Sequence, residues 1–327
     1  MFKPSLAELR AGQEMVYRYM RPTLAHAWPL LAERLQTKVV VKHENHTPAG
    51  AFKVRGGLTY FESLKHRESN CKGVISGTRG NHGQSVGIAA KLHGLKATIV
   101  VPKRNSIEKN AAMRALGVDL IEHGEDFQES REFAAQMAKD KNWHMVPSFH
   151  KDLLLGVASY WIELFEASPD LKRVYVPIGM GSGACAAVIA RDALGIDCEV
   201  VGVVSAHAQA YALSFAAGSV IEAPVTTLLA DGLACRLPDI DALNMIRAGI
   251  SRIVQVTDVE IAQAMRVYFS DTHNVSEGAG AAPLAAALQE QKNGRLPSDG
   301  SMPIGLPLCG GNVDSDVFAK VLAETIK

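Results

Sequence analysis

The sequence predicts an α/β protein of two lobes, with open, mostly parallel sheets flanked by helices. Three observations predict it. Strand-like and helix-like segments alternate along most of the chain, and helical crossovers between strands make parallel sheets covered on both faces. The alternation pauses near Trp143–Phe149 and then resumes, as it would between two sheets. At 327 residues, 47% hydrophobic and 21% charged, the chain exceeds one comfortable core.

The elements follow in order. Ser5 with Glu8 is a capping box, so a helix starts there and runs to about Met20, where Arg21-Pro22-Thr23 ends it. Val39-Val40-Val41 is the first clear strand. Strand 73–76 precedes helix 81–93, strand 97–101 precedes helix 106–116, and strand 118–121 precedes helix 127–141. The second half repeats the rhythm with 173–177 then 183–194, and 199–204 then 206–217. The alanine-rich segment 278–288 is helical in pattern, and packing accounts for it. These spans place a smaller lobe at residues 49–148, inserted into a larger one built from 1–48 and 149–327.

Composition removes several function classes. Lys+Arg and Asp+Glu are both 34, so no net charge points to nucleic acid or an anionic membrane. Cys71, Cys185, Cys198, Cys235 and Cys309 are scattered, with no C-x-x-C pair, so neither a disulfide framework nor a structural zinc is indicated. His43-x-x-His46 has no third partner at metal spacing, so no metal site is expected. The amino terminus lacks the apolar run of a signal peptide and no segment reaches the length of a membrane span, so the expected compartment is the cytoplasm. Trp28, Trp143 and Trp161 read as core.

Four segments carry chemistry. In Glu44–Gly57 a strand ends, a Pro/Gly turn follows, and Lys53 appears as a helix begins. A lysine at a helix amino end meets an unfavourable dipole, and partial burial there depresses its pKa, as an imine-forming lysine requires. One lysine taken alone is normally solvated, and only the other segments single this one out. Ser76–Gln84 places small residues, with Thr78 and Asn81, after a strand, where N–H groups at a helix start can hold a carboxylate. The same pattern also serves a tight structural turn.

Pro177–Ala184 spaces glycines between a strand and a helix, which makes a phosphate cradle. A nicotinamide cofactor would want an acid at the end of the following strand, yet that strand ends in Val203-Val204-Ser205. No G-x-x-x-x-G-K-[ST] loop for a nucleoside triphosphate is present. The last segment, Leu308-Cys309-Gly310-Gly311-Asn312, follows the apolar run Met302–Leu308 and can touch a flat ring edge-on. A cysteine in such a place is otherwise a small buried hydrophobe.

Taken together and in this order, the four segments resemble the fold-type II pyridoxal 5'-phosphate (PLP) enzymes, specifically the threonine/serine dehydratase and serine racemase group. The resemblance runs from Arg21-Pro22-Thr23 to Gly310-Gly311-Asn312. It implies that Lys53 is the Schiff-base lysine and catalytic base, that Phe52 lies against the ring, and that Asn81 meets the ring hydroxyl. It implies further that Gly179, Met180, Gly181, Ser182 and Gly183, with Ala184, cup the phosphate, and that Cys309 faces the pyridine nitrogen. Thr78, with its neighbours Arg79, Gly80 and His82, would hold the substrate carboxylate, His82 orienting the loop.

The implied reaction is β-elimination from a β-hydroxy-α-amino acid of L-threonine or L-serine type, through an aldimine and an aminoacrylate-type intermediate. The products are a 2-oxo acid and ammonia. A homodimer and no regulatory extension are implied as well.

Three departures bear on this. Ala51 stands where the group usually has serine, and Cys309 replaces the serine at the ring nitrogen. Arg79 stands where serine racemases carry a second base, and a guanidinium does not serve as a base, so racemisation is not expected. Arg79 could instead pair with a carboxylate, as in 3-hydroxyaspartate, or stack on an aromatic β-substituent, as in 3-phenylserine, or point away toward a structural acid. A dehydratase-like enzyme of compatible-solute (hydroxyectoine) catabolism is a further alternative. Val204 stands where the relatives' divalent-cation site has a glutamate, while Asp231 is retained. A divalent metal is therefore not expected, whereas a monovalent cation held by carbonyls is compatible with the pattern. A colourless, PLP-free protein would instead favour a small-molecule binding module or a nucleotide enzyme.

Overall fold

A computed structural model describes residues 2–325. Its strands are β1 (Ala25–Ala27), β2 (Val39–His43), β3 (Gly73–Gly77), β4 (Lys96–Val101), β5 (Asp119–Glu122), β6 (His144–Met145), β7 (Arg173–Pro177), β8 (Glu199–Ser205), β9 (Arg252–Val256) and β10 (Ile304–Leu308). One sheet runs β1-β2-β10-β7-β8-β9 and the other β5-β4-β3-β6. Among the strand pairs of the described residues, only β1–β2 is antiparallel. Strands β2, β3 and β10 are buried along their whole length, as parallel strands covered by helices on both faces must be.

The six-stranded sheet takes its strands from both ends of the chain, while all four strands of the other lie between residues 73 and 145. On that pattern we propose that the lobes divide near residues 48 and 148.

The Ser5–Glu8 capping box forms: Glu8 N–H donates to Ser5 Oγ at 3.3 Å, and Ser5 N–H donates to Glu8 Oε2 at 2.8 Å. The helix it starts ends at Tyr17, short of Met20. Strand β1 and the helix Pro29–Leu35 precede the first strand expected from sequence. The pause at Trp143–Phe149 contains β6, two residues paired with β3 and too short to show a period. The helix expected from residue 206 begins at Ala210, because Ala206 N–H donates to Val256 O and Ala208 N–H turns back to Ser205 O.

A buried ionic cluster fixes the helix that carries Lys53. Arg55, fully buried in helix Lys53–Arg67, donates to both oxygens of Glu44 at 2.7 and 2.9 Å. It also donates to Glu163 at 2.6 Å and to Ser159 Oγ at 2.8 Å, both on helix Lys151–Ala167. Lys42 of β2 pairs with Glu163 too. Every charge in the group has a partner, the condition under which buried ions are tolerated. The next layer is apolar: Trp161 is fully buried and donates its Nε1–H to Gly183 O at 3.0 Å, tying this helix to the glycine loop.

Candidate active site

The chemistry-bearing segments lie beyond the carboxyl ends of parallel strands, where open α/β sheets place their ligands. Thr78–His82 follows β3, Gly179–Gly183 follows β7, and Cys309 follows β10. Lys53 opens the helix reached by the turn after β2. Phe52, Lys53, Thr78, Arg79, Gly80, Asn81, His82, Gly179, Met180, Gly181, Ser182, Gly183 and Cys309 all line one cleft of about 840 Å³, its open mouth included.

Lys53 is half-buried, and its Nζ donates to Ser182 Oγ at 3.1 Å. Phe52 N–H donates to Cys309 O at 2.9 Å, so the turn before Lys53 is laced to the end of β10. Lost solvation lowers the Lys53 pKa to about 8, with Cys309 and Glu277 opposing. The Phe52 ring packs edge-on to Tyr160, 5.9 Å between centroids, and lies 5.0 Å from Lys53 Nζ. Burial, with Glu277 nearby, raises the Cys309 thiol well above its ordinary range, so it is a neutral group.

The glycine loop is built by its backbone. Gly181 has φ 93°, a left-handed value that favours glycine, and a Cβ on Gly179 would collide with the carbonyl of Gly232. Among the described residues, the N–H groups of Ser182, Gly183 and Ala184 find no acceptor at the start of helix Ser182–Leu194. Free N–H groups at the positive end of a helix dipole suit a phosphate.

On the opposite side, Asn81 Nδ2 donates to Glu277 Oε1 at 2.6 Å, and Asn81 Oδ1 accepts from Asn312 Nδ2 at 2.9 Å. Burial, and then the charge of Lys53, pushes His82 down to about 3, so its imidazole is neutral. The Thr78 hydroxyl accepts from Gly80 N–H at 3.2 Å. Among the described residues, no ion pair or hydrogen bond to the Arg79 guanidinium is present, and its Nε is buried without a partner.

Sequence reasoning missed Lys109 and Glu277 and read Asp231 only as a retained acid. Lys109 Nζ lies 2.6 Å from Asp231 Oδ2 and 3.0 Å from Glu277 Oε2. These two carboxylates overcome the burial of Lys109 and raise its pKa, keeping it charged, while burial raises that of Glu277. A glutamate directly before the apolar helix Gly278–Lys292 was the available signal, since an acid there is either a solvated cap or a functional group. Asp231 is thus an ion-pair partner, Val204 is buried in β8, and no group of three or more His, Cys, Asp or Glu among the described residues is placed to hold a metal. None of the described helices is long and apolar enough to cross a membrane.

An amine of lowered pKa facing a row of free N–H groups fits the aldehyde and phosphate of PLP. The model of the pyridoxal-phosphate dependent enzyme family matches residues 16–310, and the chain belongs to that family. Its fold is that of the fold-type II enzymes, and PLP is its cofactor.

Within the family, the chain is 32% identical over 313 residues to L-threonine ammonia-lyase of Geobacter sulfurreducens, covering 95% of this chain and 76% of that protein. It is 31% identical to a biosynthetic L-threonine dehydratase of Pasteurella multocida, where the match covers 83% of this chain and 53% of the relative. The solved structure of maize serine racemase superposes with a TM-score of 0.90 at 25% identity, over 99% of this chain and 98% of that one.

Proposed function

We propose that this enzyme is an ammonia-lyase that dehydrates β-hydroxy-α-amino acids of the threonine or serine type to a 2-oxo acid and ammonia. The carrying observation is Lys53: an amine with a pKa of about 8 in a cleft whose other wall holds free N–H donors. The likeness to L-threonine ammonia-lyase supports the same reading.

Bound PLP supplies the electron sink for the Cα electron pair. The chain's own residues do the rest. Ser182, Gly183 and Ala184 would offer N–H groups to the phosphate, Asn81 would meet the ring hydroxyl, and Phe52 would lie beside the ring. Cys309 stays neutral at the ring nitrogen and so does not hold a proton there as a carboxylate would. The Thr78 hydroxyl and the N–H groups of Arg79, Asn81 and His82, which have no acceptor among the described residues, would receive the substrate α-carboxylate. The Lys53 amine would take the Cα proton near neutral pH, because its pKa lies near 8. The β-hydroxyl would then leave as water with the proton that Lys53 took from Cα.

Arg79 occupies the place where a second base would be needed, so the reaction ends in elimination and not in inversion at Cα. The reading extends to bulkier substrates such as 3-phenylserine, because Phe127 and Arg79 both line the cleft and the chamber beside it. A cytoplasmic homodimer belongs to the same proposal, and light scattering on the purified enzyme checks the dimer.

The deciding experiment is 2-oxo-acid release by the yellow holoenzyme from L-threonine, L-serine, 3-hydroxyaspartate and 3-phenylserine, compared by kcat/KM. Turnover of at least one is expected. Release from none would overturn the proposal.

A further inference from the structure

We propose that Arg79 selects substrates bearing a second carboxylate on the β-carbon, with 3-hydroxyaspartate the simplest. This rests on the dehydratase reading above and names the substrate class of that same site. Arg79 stands where the cleft meets a side chamber lined also by Asp126, Phe127, Gln128, Ala234 and Arg236. Being adjacent to Thr78 in the carboxylate-holding loop, it borders the space that a β-substituent would fill.

Every acid lining these two spaces is already engaged. In the cleft, Asp231 and Glu277 are both held by Lys109. In the chamber, Asp126 accepts from Arg236 Nη1 at 2.8 Å and caps a helix by accepting from Glu129 N–H at 2.9 Å. Arg79 is left with no counter-ion among the described residues, and its Nε is buried without an acceptor. A guanidinium left without a counter-ion at a cleft gains free energy from a bound carboxylate.

The choice between a carboxylate and an aromatic ring follows from the missing counter-ion. A ring stacked on the guanidinium face brings no negative charge to it. A carboxylate supplies that charge and meets two N–H groups of the guanidinium in the bidentate geometry that arginine favours.

The chemistry balances without an added oxidant. The Cα–H bond breaks to give its proton to Lys53, and the Cβ–O bond breaks with its electron pair leaving on oxygen, which departs as water. The freed enamine tautomerises to the 2-imino acid, and one water replaces nitrogen. The net change is 3-hydroxyaspartate to oxaloacetate and ammonia.

The test compares kcat/KM for threo- and erythro-3-hydroxyaspartate, L-serine, L-threonine and 3-phenylserine in the wild-type holoenzyme, Arg79→Met and Arg79→Lys. The wild type should favour a 3-hydroxyaspartate isomer over L-serine by at least about a hundredfold. Arg79→Met should lower that ratio at least about a hundredfold, chiefly through KM, and Arg79→Lys should restore part of it. Should Arg79→Met fail to fold, inhibition of the wild type by succinate and by butyrate decides, with succinate expected to act at much lower concentration. Equal inhibition would overturn the proposal, as would a preference for serine, threonine or phenylserine, or a ratio that ignores Arg79. In the last cases the dehydratase reading survives. Inactivity of the yellow holoenzyme toward all of these substrates would overturn both.

Discussion

The two walls of the cleft are made of different material. The wall after β7 is backbone: Gly179–Gly183 and the first turn of helix Ser182–Leu194, with no charged side chain in the loop. The wall after β3 is side chains: Thr78, Arg79, Asn81 and His82, braced by Lys109, Asp231 and Glu277. A wall of N–H groups is insensitive to which side chains surround it and intolerant of an added Cβ. A wall of side chains changes what it binds when a residue facing the cleft is exchanged. On the proposed assignment, phosphate binding is the fixed property of the backbone wall, and substrate choice the adjustable one of the side-chain wall.

The largest effect belongs to the residue between the two walls. Lys53→Ala should abolish 2-oxo-acid release, by about 10⁴-fold or more, together with the yellow colour of the bound cofactor. Retained dehydratase activity in this variant would remove Lys53 from its role. Next is the brace of the side-chain wall. Lys109→Met leaves two carboxylates without their shared cation and should destabilise the protein by roughly 3–5 kcal/mol, read as a lower Tm. An unchanged Tm would mean that the ion pairs do not hold the wall.

The backbone wall is tested by Gly181→Ala. An alanine at φ 93° is strained, and its Cβ comes within 2.9 Å of the Ala242 Cβ. About 1–3 kcal/mol of strain predicts roughly 10–100-fold weaker PLP binding in titrations of the cofactor-free enzyme. Undiminished binding would break the contrast between the walls.

The smallest effect near neutral pH comes from His82. Its folded-state pKa of about 3 lies below the ordinary 6.5, so the unfolded chain binds more protons between these values. Its contribution to stability is thus present above about 6.5 and is lost as the pH falls toward 3. The Tm of His82→Asn should fall less steeply than the wild type's over that acid window, whereas parallel curves would assign the acid sensitivity elsewhere.

The backbone wall was the more legible in sequence. Glycines placed after an apolar run announce a close approach of main chain to ligand, and Gly179 and Gly181 are glycines for reasons that the structure repeats in φ and in contact. The side-chain wall was only half legible. Lys109 sits in helix Ile107–Ala115 among residues that look solvated, and its partners Asp231 and Glu277 come from distant segments of the chain. Asp231 carried no sign of its partner, 122 residues away in sequence. The short elements β1 and β6 fell below the length at which a period of two can be read. The lag of the helix at Ala210 came from ladder bonds that cross to β9.

On the proposed mechanism one amine, Lys53, works on one face of Cα, and Arg79 supplies no second base. Incubating the holoenzyme with a single enantiomer of its best substrate tests this, with 2-oxo acid, ammonia and the configuration of the remaining substrate followed together. Equal yields of 2-oxo acid and ammonia, with the residual substrate unchanged in configuration, are predicted. Accumulation of the opposite enantiomer at a rate comparable to 2-oxo-acid release would contradict it.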